Sequence, residues 1–318
     1  MLRILVTLFT LLAAGLVAAQ GYPARQVRIV VPFPPGGTSD ILARTIGARL
    51  AEPLGQPVVI ENRPGAGGNI AADHVAKSPP DGYTLLMGTS SLAISQSLYR
   101  KLNFDLIRDF APVTQAVNYA NLLVVHPTAG VSTVNELLAL ARAKPGFLTY
   151  GTAGNGTPPH MTGELFKAYT GVSILHIPYK GGAPAIVDLV AGQIPMMFDN
   201  VPPLLPHVRS GRIKALAVTS LARIPVLPEV PTLHELGLKD FDAVGWNGLL
   251  APAGTPREIV NRLHAEVARV LRIPEVRDQL TSQGADIVAN SPDEFSAWIR
   301  VEVKKWAEVV RVSGAKID

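Results

Sequence analysis

The sequence predicts an α/β protein of two Rossmann-like lobes that face each other across a cleft. Three observations favour this class: strand patterns alternate with amphipathic helix patterns, glycine-rich turns join them, and the alternation occurs in two separate runs along 318 residues. Such alternation is typical of a parallel sheet that is covered by helices on both faces. A chain of this length also favours about two domains.

The first run contains three strand–helix pairs. Val27 begins an apolar strand pattern that the Pro34-Pro35-Gly36-Gly37 turn ends. The helix pattern that follows repeats apolar residues at a spacing near 3.6. We expect strands at 27–33, 58–61 and 84–87, and helices at 39–50, from the turn at 63–68 to 76, and from 90.

A second run begins at residue 122. We expect strands at 122–125, 147–150, 174–177, 196–198 and 214–219, and helices at 134–143, 159–169 and up to 191. Residues 223–231 hold three prolines and predict a loop. A strand at 243–250 returns toward the first run, and helices at 257–271 and 292–310 follow it. The first lobe would comprise residues 22–122 and 246–318, the second 123–245, and the chain would cross between them twice.

The first 19 residues predict a secretory signal peptide. Arg3 supplies a positive charge, residues 4–18 carry none, and Val17-Ala18-Ala19 offers small residues before a cleavage at Gln20. A membrane anchor is the alternative, although the run is short for a span of roughly 20 residues. Export of a chain without cysteine suits a bacterial periplasm, and we expect that location.

Composition excludes several classes of protein. With 47% apolar and 17% charged residues, the chain is not intrinsically disordered. The absence of cysteine excludes disulfides, thiolate catalysis and cysteine-based metal sites. The net charge of +4 is scattered without a block of Lys or Arg, so nucleic acid is not an expected partner. A mildly basic protein is more suited to small anions.

The turns at strand ends are the strongest indication of function. Four of them, at 33–40, 88–91, 150–157 and 179–182, place Gly, Ser or Thr between a strand and a helix. The first amides of a helix lack partners within it and lie at the positive end of its dipole, so they accept carboxylate or phosphate. One such turn by itself is explained by helix capping. Four together favour a cleft with anion sites on both walls, because ligands bind beyond the carboxyl ends of strands.

Motifs for other functions are weak or absent. The run at 151–156 does not have the spacing G-x-G-x-x-G, and the chain contains no phosphate-binding loop, no H-E-x-x-H and no Gly-x-Ser-x-Gly. We expect no metal and no cofactor. A hydrolase using Thr157, His160 and Asp199 is conceivable, although capping of one helix explains the first two.

Two charged residues near these turns have two interpretations each. Lys180 is either an anion contact or a solvated loop charge. Asp199 either caps the turn before Pro202-Pro203 or contacts ligand. For Trp246, on the expected returning strand, core packing is the default.

At these turns the sequence resembles the tripartite tricarboxylate transporter substrate-binding family, the Bug or TctC-type periplasmic receptors. The matching segments run in order through nearly the whole mature chain: residues 31–40 (VPFPPGGTSD), 61–68 (ENRPGAGG), 81–85 (DGYTL), 150–160 (YGTAGNGTPPH), 179–185 (YKGGAPA) and 215–219 (ALAVT). The resemblance implies a type II periplasmic-binding-protein fold, in which two lobes close on a ligand like a Venus flytrap.

The resemblance also implies the ligand class and its binding residues. The ligands are small carboxylates: dicarboxylates, tricarboxylates, acidic amino acids or aromatic acids. Carried over residue by residue, the expected contacts are Phe33, Gly36, Gly37, Thr38, Asp40, Thr89, Ser90, Thr152, Gly156, Thr157 and His160. The candidate site further includes Tyr179 and Asp199. Thr152 and Thr157 stand where Ser is also common in the family.

The family's partners are a large and a small integral-membrane permease subunit. We therefore expect a monomeric, non-enzymatic receptor that binds a carboxylate and delivers it to such a transporter. A periplasmic sensor for a membrane kinase and an exported α/β hydrolase are the alternatives. The identity of the acid does not follow from the sequence, because backbone donors recognise a carboxylate group but not the carbon skeleton.

Overall fold

The structure is a computed structural model that describes residues 21–317. The predicted signal peptide, residues 1–19, lies outside the described residues.

Three parallel strands begin the fold. They are β1 (Val27–Val31), β2 (Val58–Asn62) and β3 (Thr84–Thr89), and β1 lies between the other two. Each is followed by a helix: α1 (Thr38–Leu54), α2 (Asn69–Ala76) and α3 (Ser90–Leu98). The three predicted strand–helix pairs are therefore confirmed, with ends that differ by a few residues.

A long strand, β4 (Phe110–Val125), joins the two halves of the molecule. The sequence pattern predicts only residues 122–125, because the polar residues between 112 and 121 obscure the first part of the strand. That first part pairs with β9 (Val244–Pro252) and β10 (Ala285–Ile287). The second part pairs with β7 (Met196–Asn200) and β8 (Lys214–Val218).

The remaining strands complete a second sheet. Here β5 (Thr149–Thr152) pairs in parallel with β6 (Leu175–Pro178) and with β7. We call β1–β3, β9, β10 and residues 110–120 of β4 the first sheet, and β5–β8 and residues 121–125 of β4 the second sheet. Along the whole molecule the main strand order is β2-β1-β3-β9-β4-β7-β5-β6. The predicted fold class, a mixed α/β architecture of two halves, is confirmed.

Seven further helices cover these sheets within residues 21–317. They are α4 (Val134–Ala143), α5 (Pro158–Thr170), α6 (Gly182–Val190), α7 (Val201–Arg209), α8 (Arg257–Arg272), α9 (Pro274–Ser282) and α10 (Pro292–Ser313). Two of them, α7 and α9, are missing from the sequence-based prediction. In α7, Pro202 and Pro203 occupy the start of the helix, where a missing amide hydrogen removes no helical hydrogen bond. Residues 223–231 form the predicted loop.

The chain passes between the sheets at two adjacent points. Ala120 pairs with Val244 in the first sheet, whereas Asn121 pairs with Asn200 in the second. On the return, the Ala243 amide still donates to Thr219 of the second half, and Val244 then begins β9. The division into lobes at 22–122 plus 246–318 and 123–245 stays a prediction.

Hydrophobic clusters lie on both faces of each sheet. Consecutive strand residues point to opposite faces. Ile29 and Val30 accordingly belong to different clusters, as do Leu122 and Leu123. Helix α10 contacts α3, β4 and α5, so it touches elements of both halves. Within the described residues, no helix combines the length and the apolar character that a membrane span requires.

Candidate functional site

A cleft lies between the two sheets, at the carboxyl ends of β1, β3, β5 and β7. The space between its walls is about 610 Å³ when the solvent at its open side is included. Six of the predicted site residues line it: Phe33, Gly37, Thr38, Thr89, Thr157 and Asp199. The described lining contains no Lys, Arg or His, so an anion bound there would be held by neutral donors.

The start of α1 forms one wall. Gly37 is its N-cap residue and has no side chain to accept from the first amides. The Thr38 and Ser39 side chains line the cleft and act there as acceptors: Thr38 Oγ1 from Asn200 Nδ2 at 3.2 Å, and Ser39 Oγ from Asn247 Nδ2 at 2.9 Å. Their own hydroxyl protons and the free amides of this turn therefore favour an anion.

Asp40 and Gly36 lie behind this wall. The buried Asp40 carboxylate accepts from the Gly36 amide at 3.0 Å, from Arg44 and from Asn62 Nδ2 at 2.9 Å. Burial by itself would raise the pKa of Asp40, but these hydrogen bonds together hold it below its ordinary value. Gly36 has a φ of +86°, which only glycine adopts readily. The structure thus places both residues where they shape the turn.

The end of β3 contributes a hydroxyl that the sequence analysis missed. Thr89 Oγ1 caps α3 by accepting from the Ser91 amide at 3.2 Å. Ser90 Oγ accepts from the Trp246 amide at 2.8 Å and does not line the cleft. Ser91 lines it instead, and its buried Oγ has no partner in the described chain. Ser90 and Ser91 cannot be told apart by spacing, because only the direction of the first helical turn decides which one faces the cleft.

The glycine-rich turn after β5 forms part of the opposite wall. Thr157 Oγ1 caps α5 by accepting from the His160 amide, and it donates to the Gly154 carbonyl at 2.7 Å. The Gly156 amide donates to His160 Nδ1 at 3.3 Å. Thr152 Oγ1 lies 2.6 Å from His176 Nε2. Of these predicted residues only Thr157 lines the cleft, and the others hold the turn from behind.

Two stacked histidines support this turn. The rings of His160 and His176 lie 4.3 Å apart between centroids. Burial lowers the pKa of His160 to about 4 and that of His176 to about 3, so both are neutral at neutral pH.

The hydrolase alternative does not have the geometry of a triad. The Thr157 hydroxyl donates to a carbonyl rather than to His160, whose Nδ1 is already an acceptor for a backbone amide. Within the described residues, no hydrogen bond joins Asp199 to His160.

Asp199 and Asn200, at the end of β7, place oxygen acceptors at the cleft. Asp199 Oδ1 accepts from the Asn200 amide at 2.8 Å, whereas its buried Oδ2 has no partner in the described chain. Burial raises the pKa of Asp199 to about 7. Asn200 Oδ1 is also buried without a partner. A Cβ at Gly182, the first residue of α6, would lie 2.3 Å from Asp199 Oδ2, so a side chain there would displace this carboxylate.

Tyr179 lines a neighbouring pocket with Tyr99 and Lys180, and this pocket shares Phe33, Pro34 and Ala153 with the cleft. Its hydroxyl donates to Asp188 Oδ2 at 2.7 Å, and the residue does not line the inner cavity.

The returning strand β9 forms the floor. Trp246 is only 2% exposed, as core packing predicts, yet it also lines the cleft beside Asn247. No sequence motif predicted Trp246, Asn247 or Asn200 as site residues, because they reach the cleft only where strands that are distant in sequence meet.

The two walls touch each other. A Cβ at Gly67 would lie 2.7 Å from the Asn155 carbonyl oxygen, and a Cβ at Gly181 would lie 2.8 Å from Pro34. With the hydrogen bond between Thr38 and Asn200, these contacts describe a closed arrangement. Residues 21–317 contain no group of three His, Asp or Glu side chains able to hold a metal ion.

Comparisons with known proteins agree with this geometry. Residues 42–315 match the sequence model of the tripartite tricarboxylate transporter family receptor, TctC. The chain is 40% identical over 306 residues to the protein BugT of Bordetella pertussis, which covers 96% of this chain and 94% of that protein.

Two solved structures that hold carboxylic acids are also similar. Rpa4515 of R. palustris with adipate superposes with a TM-score of 0.90 at 41% identity, covering 93% of this chain and 100% of that one. MatC of Rhodopseudomonas palustris with bound malate has a TM-score of 0.87 at 35% identity, covering 91% of this chain and 100% of that one.

Proposed function

The chain belongs to the tripartite tricarboxylate transporter receptor family, and on that premise we propose that it is an extracytoplasmic receptor for a small organic carboxylate. The observation that carries the proposal is the uncapped start of α1, which faces a cleft lined by hydroxyl groups and, among the described residues, by no basic side chain. One carboxylate of the ligand binds there, held by backbone amides and the Ser91 hydroxyl.

The similar structures support this class of ligand. Rpa4515 was solved with adipate and MatC with malate, and both share the fold over more than nine-tenths of this chain. A micromolar receptor needs about −8 kcal/mol of binding free energy. A few hydrogen bonds to a charged group, at roughly 1.5–3 kcal/mol each, reach that value after ordering costs.

The ligand would also drive closure. It touches both walls, so it binds the closed form better than the open form and shifts the population by that difference in affinity. The candidate contacts are the six predicted residues that line the cleft, together with Ser91, Asn200 and Asn247. Gly36, Asp40, Thr152, Gly156, His160 and Tyr179 then act by holding those contacts in place.

The closed receptor would deliver its ligand to a large and a small integral-membrane permease subunit. It would do so as a monomer in the periplasm, after removal of residues 1–19. N-terminal sequencing of periplasmic protein should therefore begin near Gln20. Uptake of labelled ligand in cells with and without the permease genes separates transport from a sensing role.

Native mass spectrometry of protein purified without denaturation tests the central claim. We expect a co-purifying acid, and titration calorimetry with a panel of mono-, di- and tricarboxylates should give saturable binding to one site. Absence of binding across the panel, with a folded protein by circular dichroism, would refute a carboxylate receptor.

A further inference from the structure

The two walls of the cleft differ in the hydrogen-bonding groups that they offer. The wall at α1 and α3 presents donors, namely the first amides of α1 and the Ser91 hydroxyl. The wall at the end of β7 includes Asp199 and Asn200, whose buried Oδ2 and Oδ1 acceptors have no partner in the described chain. The Asn200 amide nitrogen is already used on Thr38, which leaves the oxygen for another partner. Buried acceptors without a donor are costly, so we expect a ligand in the cleft to offer a donor to them.

Among residues 21–317, no cation lies beside Asp199. Its side chain is only 3% exposed, and burial is what raises its pKa, with no charged neighbour contributing. Titratable residues occur on every element packed against β7: Tyr119 on β4, Tyr150 on β5, His160, Glu164, Lys167 and Tyr169 on α5, Asp188 on α6, and His207 and Arg209 on α7. The turn before α6 adds Tyr179 and Lys180, and the start of α1 adds Asp40 and Arg44. Within the described residues, none of them forms a hydrogen bond or ion pair with Asp199.

Asp199 would therefore repel a second carboxylate of the ligand. Two carboxylate oxygens in contact repel each other unless a proton lies between them. A hydroxyl or ammonium group on the ligand brings its own proton and satisfies Asp199 Oδ2 directly.

We propose, building on the proposed function, that Asp199 makes the receptor selective for carboxylic acids that carry a hydroxyl or ammonium group facing it. A plain dicarboxylate binds only with uptake of one proton from solvent, which then lies between its second carboxylate and Asp199. In both cases another carboxylate of the ligand, which does not face Asp199, binds at the α1 wall.

The position of Asp199 makes this uptake possible near neutral pH. Its pKa of about 7 without ligand rises further when a negative charge enters the same dry cleft. A hydroxy or amino acid does not require such uptake, because the ligand donates the hydrogen bond to Asp199 itself.

Matched series of acids test the proposal by titration calorimetry. The series are succinate, malate and aspartate; glutarate, 2-hydroxyglutarate and glutamate; and adipate with 2-aminoadipate. In a series whose members bind, the hydroxy or amino acid should bind about 10- to 100-fold more tightly than the plain diacid at about pH 8.5. That ratio should shrink toward pH 6, because the affinity for the plain diacid falls by up to about tenfold per pH unit above the relevant pKa. The binding enthalpy of the plain diacid should also vary with the ionisation enthalpy of the buffer, as one bound proton requires.

Asp199→Asn provides the matched variant. Its oxygen still accepts from the Asn200 amide, so we expect the fold to persist, and its amide nitrogen can donate to a second carboxylate. The affinity for the plain diacid should become independent of pH and equal or exceed that of the wild type at about pH 8.5. Asp278→Asn, on the exposed side of α9 beside Arg277, removes a carboxylate of no consequence for the cleft and should leave every value unchanged.

Equal affinities within each series at high pH, together with a buffer-independent enthalpy in the wild type, would overturn the proposal. The wild-type panel alone decides this if Asp199→Asn does not fold. If no acid of these series and none of the mono- and tricarboxylates of the panel binds the wild type, the proposed function fails and this inference falls with it. If only acids outside these series bind, the proposed function stands and this inference fails. Binding without selectivity refutes only the role of Asp199.

Discussion

Asn200 on one wall of the cleft donates its side-chain amide to the Thr38 hydroxyl on the other, at 3.2 Å. The residues are 162 positions apart in sequence, and the bond joins the end of β7 to the start of α1. It exists only while the walls are together, so it stabilises the closed form over the open one.

A double-mutant cycle in the binding free energy measures that bond. Thr38→Val and Asn200→Ala should each weaken ligand binding, and their coupling energy should be about 0.5–1.5 kcal/mol, the usual net value of a neutral hydrogen bond. Titration calorimetry on the four proteins gives the number. Strict additivity of the two effects would mean that the bond does not form in the bound state.

Gly37→Asp should abolish binding and leave the fold intact. A Cβ at Gly37 meets nothing closer than the Pro34 carbonyl oxygen at 3.8 Å, and Gly37 lines the cleft. The added carboxylate therefore occupies ligand space and places like charge at the helix start. We expect a loss of at least about 100-fold, since a favourable charge-assisted bond is replaced by repulsion. Circular dichroism and thermal melting control for folding. If the variant still binds the ligand, the carboxylate does not bind at the α1 wall.

Ser91→Ala and Lys180→Met together test whether neutral donors hold the anion. Ser91 lines the cleft and its buried Oγ has no partner in the described chain, whereas Lys180 is exposed and lines the neighbouring pocket. Loss of the Ser91 hydroxyl should weaken binding by about 10- to 150-fold. Loss of the Lys180 charge should cost less than about threefold. The reverse order of effects in calorimetry would indicate a site built around a point charge.

Acid should destabilise the free protein through His160 and His176. Burial lowers their pKa values from 6.5 to about 4 and about 3. Below about pH 6.5 the unfolded chain binds these protons first, so the stability of the fold decreases as the pH falls from there toward 4. Asp199 acts in the opposite direction over this range, because burial raises its pKa to about 7 and its folded form keeps a proton that the unfolded form releases.

Comparison with His176→Gln isolates the histidine contribution. Denaturant unfolding at several pH values should show the wild type losing up to about 1.4 kcal/mol per pH unit more than this variant between pH 6.5 and 4. His234→Gln, in the segment after β8, is the control and should follow the wild type. Parallel curves for the wild type and His176→Gln would contradict a neutral, buried His176.

Local sequence patterns determined most of the helices and strands and one wall of the candidate site. The apolar runs of β1, β3 and β7 and the glycine turns after them are properties of short segments. The alternation of strands and helices therefore predicted the fold class, and the turn at 33–40 predicted an anion site at the start of α1. The pattern failed where polar residues occur in buried elements, as in the first part of β4 and in the proline-bearing start of α7.

Only the tertiary structure decided which residues of those turns line the cleft. Ser90 and Ser91 are chemically identical, but the first turn of α3 directs one hydroxyl to the Trp246 amide and leaves the other at the cleft. Asp40, Thr152 and His160 belong to motifs that resemble those of the family. Their hydrogen-bonding and stacking partners nevertheless lie behind the walls of the cleft. The physical reason is that composition and spacing specify which groups are available near a strand end, whereas their direction depends on pairing between β4, β7 and β9, which are far apart in the chain. The free oxygen of Asp199 is a consequence of that pairing, and no local pattern contains it.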